Sequence, residues 1–162
     1  MAAGFQLAQI NVARLIAPLE SPEVAEFRDG IAAMNALAER QPGFVWRGIG
    51  TGFDAASDGD PMLVNVSVWR SVEDLAAFAY RTDHRHFVRR RHDWFEPATE
   101  ACLALWWIAA GDFPTLRQAF DRLGHLRAHG PAAEAFDFRT RFAPPAHGPA
   151  REAGRTMIRA RP

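Results

Sequence analysis

Between Phe5 and Ala110 the hydrophobic period changes between two and about 3.6 in the order β-α-β-β-α-β. Few topologies accept that order. It predicts the split βαβ, ferredoxin-like arrangement, an α+β fold with an antiparallel sheet. Phe5–Val12 alternates, with Phe5, Leu7, Gln9 and Asn11 on one face and Ala8, Ile10 and Val12 on the other. Ser21-Pro22-Glu23 reads as a helix start, and Val24, Phe27, Ile31, Met34 and Leu37–Ala38 follow as the apolar stripe up to about Gln41. Gln41-Pro42-Gly43 stops it, and Phe44–Ile49 is the second strand.

The Gly/Asp/Ser-rich stretch 50–60 reads as a hairpin connection into Met62–Trp69. There Met62, Val64, Val66 and Val68 share one face, and Leu63, Asn65, Ser67 and Trp69 the other. Ser71 caps a helix from Val72 to about Tyr80, and helical signal resumes over 83–95. Cys102–Ala110 is a continuous apolar strand, Pro114 opens a last helix to about Ala128, and Phe136 with Phe138 suggests a short extra strand. Because strand positions on both sheet faces are apolar, a second copy of the sheet is expected to cover one of them, giving a homodimer.

All 19 basic residues are arginines, which excludes chemistry built on a lysine amine. One cysteine excludes an internal disulfide, and a formal net charge of zero argues against a general nucleic-acid or membrane binder. Residues 139–162 hold six arginines against one acid and divide the chain into a domain, 1–138, and an Arg/Pro-rich, poorly ordered tail, 139–162. No secretory leader is read at the N-terminus, so a cytoplasmic location is expected.

Gln9, Asn11, Asn65, Ser67 and Trp69 fall on one face if the strand registers agree. Uncharged polar groups on apolar strands cost roughly 1–3 kcal/mol each when buried unpaired. They imply either a polar-lined pocket for a small aromatic ligand or a hydrogen-bond network at an interface. Tyr80, His84, Phe87, Arg91 and Trp94 would share one face of a continuous helix. His84 is then a candidate general base or axial haem ligand, and Arg91 a holder of an anionic substrate or a propionate. The row Arg81, Arg85, Arg89 reads as a solvated face. His125 and His129 stand at i, i+4 but lack a third ligand, so no metal site is expected, and His125 remains a second haem-ligand candidate. Trp106 and Trp107 must point to opposite faces of the last strand; both are candidate aromatic walls.

The stretch Asn65–Phe95, with LALWWIAAG at Leu103–Gly111, resembles the dimeric α/β-barrel superfamily. With FQLAQINVARL at Phe5–Leu15, PGFVWR at Pro42–Arg47 and RLGHLRAHGP at Arg122–Pro131, it is most similar to the domain-of-unknown-function family 3291. Related antibiotic-biosynthesis monooxygenases oxidise polycyclic aromatics without metal or flavin, using Asn and Trp side chains to hold substrate. The resemblance therefore implies a cofactor-independent monooxygenase with Asn65 and Trp69 orienting substrate and His84 as base. Other relatives bind haem through a histidine, which makes a haem enzyme the alternative; a non-enzymatic ligand-binding or assembly domain is the third reading.

Overall fold

A computed structural model describes residues 4–49 and 61–146. The elements are β1 (Phe5–Arg14), α1 (Ala25–Glu39), β2 (Phe44–Arg47), β3 (Met62–Trp69), α2 (Val72–Arg81), α3 (His84–Arg89), β4 (Leu103–Ala109) and α4 (Leu116–His129). The strands pair antiparallel in the order β2-β3-β1-β4, as the βαββαβ sequence order requires. The expected hairpin over 50–60 lies outside the described residues.

Local chemistry explains most boundaries. Ser71 Oγ accepts the Asp74 backbone N–H at 3.1 Å and starts α2. The last helix starts at Leu116, two residues later than Pro114 suggests. Thr115 is its cap, Thr115 Oγ1 accepting from Gln118 N while Gln118 Oε1 accepts from Thr115 N. Ser21 makes no side-chain cap; Pro22–Val24 forms a 3-10 turn before α1.

The register fixes the faces. Leu7 lies opposite Trp69, Gln9 opposite Ser67 and Asn11 opposite Asn65. On the other side Leu7 meets Trp107, Gln9 meets Leu105 and Asn11 meets Leu103. The alternate face carries Ala8, Ile10, Val12, Val64, Val66, Val68, Ala104 and Trp106. A second copy of the sheet was expected over one of the two faces. Helix α4 of the same chain covers this one, burying Ala119, Leu123 and Leu126 against those residues. Each fully buried Val or Leu contributes about 1.5–3 kcal/mol, so this helix is an integral layer. Towards β2 the cover is thinner: Trp46 meets Phe113 at 5.3 Å, and Phe113 remains 52% exposed.

The outer edge of β4 is closed by the chain after α4. Leu105 and Phe136 exchange both backbone hydrogen bonds at 2.8 Å, so the short extra strand is realised as a single bridge. The segment continues across the sheet end: Trp107 Nε1 donates to the Phe142 carbonyl at 2.8 Å, and Phe142 packs on Phe136. Phe142 belongs to the stretch read as tail, and it is packed; residues 147–162 lie outside the described residues.

Candidate functional site

On the face of Leu7 and Trp69 two apolar clusters stand apart. One gathers Leu7, Ala38, Trp69, Val72, Leu75, Leu105 and Phe136, with Phe78 and Trp107 against it. The other gathers Leu15, Val24 and Trp94, with Phe27, Leu63, Phe87 and Phe95. By register, the rows Ser67–Gln9 and Asn65–Asn11 lie between them. Helix α1 bridges the two: Phe27 packs in the second cluster and Ala38 in the first, while Ile31 and Met34, midway, join neither. Asn65 is consequently exposed although it stands on an interior strand. Asn65 lies beyond the stretch of β3 that β2 pairs, and the space over this polar row is the candidate cleft.

The cleft floor is a connected network. Gln9 Nε2 donates to Asn65 Oδ1 at 2.6 Å and to Ser67 Oγ at 2.8 Å. Trp69 Nε1 donates to the same Ser67 Oγ at 2.8 Å. Gln9 and Ser67 are buried, and the Gln9 NH₂ donates twice. Ser67 Oγ accepts twice, which leaves its own O–H to be given away. Asn65 turns its oxygen toward Gln9, so its NH₂ is directed elsewhere, with two N–H donors to offer. Gln9 thereby orients the Asn65 amide, while the Trp69 indole N–H ends on Ser67.

Aromatic rings back this floor. Trp69 stacks on Phe78 at 5.3 Å and meets Phe44 edge-on at 5.4 Å. Phe78 in turn lies 4.6 Å from the His84 ring, whose Nδ1 is 3.3 Å from the Ala79 carbonyl. Burial lowers the His84 pKa from its ordinary value, the Ala79 carbonyl opposing that effect. The neutral ring with Nδ1–H donating to Ala79 keeps its lone pair on Nε2.

The face expected to hold Gln9, Asn11, Asn65, Ser67 and Trp69 therefore exists, and His84 reaches it through one intervening ring. Other candidates do not converge. Thr82 adopts extended backbone and breaks the helix, its Oγ1 donating to the Phe78 carbonyl at 2.6 Å and accepting the His84 N–H at 3.2 Å. A continuous Tyr80-to-Trp94 stripe is therefore lost. Tyr80 points outward, 54% exposed. Arg91 is exposed on a 3-10 turn after α3, its guanidinium directed at the Val88 carbonyl. Trp94 is buried in the second cluster beneath Arg90. Trp106 is buried on the α4 side, away from the cleft, whereas Trp107 closes the cleft's end beside Phe136.

The haem alternative needs His84 and Arg91 to address one ligand, and these residues do not fit it. Arg91 lies in the turn beyond the helix that His84 opens, its guanidinium on the Val88 carbonyl. His125 sits on α4, across the sheet. His125 and His129 stack at 4.6 Å, but among the described residues no three His, Cys, Asp or Glu side chains form a metal-binding group.

Sequence reasoning missed Arg47. A shift in the β2–β3 register places it opposite Ser67, on the cleft face, and its Nε donates to Glu39 of α1 at 2.8 Å. It also missed Phe78 as the link between Trp69 and His84, and Phe142 as a wall; neither has a spacing signal that strand alternation could supply.

Sheet order and helix placement define an α+β protein of ferredoxin-like arrangement, with a polar network on one face of its sheet. The chain belongs to the family described as Domain of unknown function (DUF3291), whose profile matches residues 6–152. No curated protein matches the chain. Similar solved structures include SnoaB, a cofactor-independent oxygenase from Streptomyces nogalater, at 18% identity, covering 68% of this chain and 96% of that one with a TM-score of 0.44. NE2512, a protein of unknown function from Nitrosomonas europaea, is 12% identical, covering 70% of this chain and 99% of that one with a TM-score of 0.46. No helix among the described residues is long and apolar enough to cross a membrane.

Proposed function

We propose that the cleft over Asn65 binds a small, flat aromatic molecule carrying a carbonyl or phenol oxygen and promotes its oxidation by O₂ without a bound cofactor. The observation that carries this reading is the Gln9–Asn65–Ser67–Trp69 network, whose donor end, the Asn65 amide, is exposed on an interior strand. Donors fixed before substrate arrives stabilise an oxyanion without reorganising. Aromatic rings flanking the strip suit a planar ring system.

In such a reaction the substrate loses a proton to become an enolate or phenolate, and its oxygen accepts from Asn65. Electron-rich carbon then takes up O₂. For an anthrone, one oxygen atom ends in the quinone and the other in water. His84, its pKa lowered by burial, stands behind Phe78 and would accept the proton once that ring moves aside.

Oxygen uptake with an anthrone tests this. Turnover above buffer is expected, with Asn65→Ala reducing kcat about a hundredfold. Uptake no faster than in buffer, or an Asn65→Ala rate equal to wild type, removes the oxygenase reading.

A further inference from the structure

A groove lies on the opposite side of α2. Phe78 faces inward to Trp69, whereas Ala76, Ala77, Tyr80 and Arg81 line a groove of about 310 Å³ with Glu73 and Arg141. The volume is in the range that small ligands occupy. Ala76 and Ala77 give it a shallow apolar floor, and the segment after Phe138 forms its far wall. That wall is fixed: Arg141 lies over the Phe138 ring at 6.0 Å and reaches Glu73 at 3.3 Å. Phe138 meets the Tyr80 ring edge-on at 5.7 Å.

Two groups in this groove are unengaged. The Arg81 guanidinium has no carboxylate or hydrogen-bond partner among the described residues, and neither has the Tyr80 hydroxyl. Glu73 is held by Arg141, so the positive charge of Arg81 is uncompensated. A guanidinium accepts a carboxylate in two parallel hydrogen bonds, and an exposed tyrosine ring offers a flat apolar surface beside it. We infer that the groove between α2 and the 138–141 segment binds a small aromatic carboxylate, its carboxylate on Arg81 and its ring against Tyr80 and the alanine floor. This site is separate from the cleft over Asn65 and does not depend on the function proposed for it.

Tyr80 is the chain's single tyrosine, so protein carrying labelled tyrosine gives one set of ring signals from inside the groove. Titration with 2-naphthoate is expected to shift those signals saturably. Arg81→Gln should weaken the midpoint about tenfold or more, roughly one charged hydrogen-bond pair. Asn65→Ala should leave it unchanged. Both variants alter exposed side chains, and unshifted tyrosine signals in ligand-free Arg81→Gln confirm that the groove is intact. Absence of a shift, an equal response to 2-naphthol, or an unchanged midpoint in Arg81→Gln overturns the assignment.

Discussion

At the scale of single residues, His84 carries a clear pH signature. Burial lowers its pKa in the folded chain below 6.5, so the folded state disfavours the protonated ring. Its neutral form is stabilised relative to the unfolded chain above pH 6.5, and this contribution is lost as pH falls through the folded value. Stability should decline on acidification below pH 6.5, and His84→Phe should flatten that limb in chemical denaturation; an unchanged slope contradicts the burial. Trp69→Phe keeps an aromatic ring but removes the donor to Ser67 and part of a buried indole, and should cost about 2–4 kcal/mol of stability, read as a lower denaturation midpoint with unchanged m-value. The polar floor was legible because β1 and β3 alternate strictly, so Gln9, Asn65 and Ser67 had to share a face once the strands paired in register. Arg47 was hidden by the irregularity between Phe44 and Trp46, which moves its side chain relative to strict alternation. Tyr80 and Arg91 were misplaced because Thr82 satisfies backbone groups with its own hydroxyl and ends the helical phase there.

At the scale of elements, helix contacts depend on a few close approaches. Gly30 of α1 lies so near the Phe87 ring of α3 that a Cβ there would overlap it. Gly30→Ala, which helps a free helix, should instead destabilise the fold by about 1–3 kcal/mol as Phe87 is displaced from Phe27 and Trp94. A Tm equal to or above wild type would show that the α1–α3 contact yields easily. Thr115→Ala removes the donor-satisfying cap of α4 and should cost about 1 kcal/mol. Element order, strand identity and the stripe of α1 were readable from periodicity. The role of α4 was not, because its pattern says that one face is buried and cannot say against which side of the sheet.

At the scale of the molecule, α4 covers the Ile10–Val66 face of the sheet, so an association between copies must use what α4 leaves open. Phe113, beside Trp46 near the β2 edge, is the exposed aromatic best placed for this. We expect a dimer in sedimentation at micromolar concentration that Phe113→Glu dissociates; a wild-type monomer at that concentration removes the homodimer from the account. The Gln9–Asn65–Ser67–Trp69 network lies within one chain in either case.

The central claim is that the Asn65 amide is the donor end of a preorganised ligand site. Its most direct test is the dissociation constant of anthraquinone, a flat carbonyl ligand that cannot be oxidised further, for wild type and Asn65→Ala, followed by tryptophan fluorescence. Binding to wild type is expected with about tenfold or greater weakening in the variant, as loss of a hydrogen bond to a ligand oxygen requires. Equal affinity for the two proteins, or no binding to wild type, would contradict it and leave the network as a structural tie between β1 and β3.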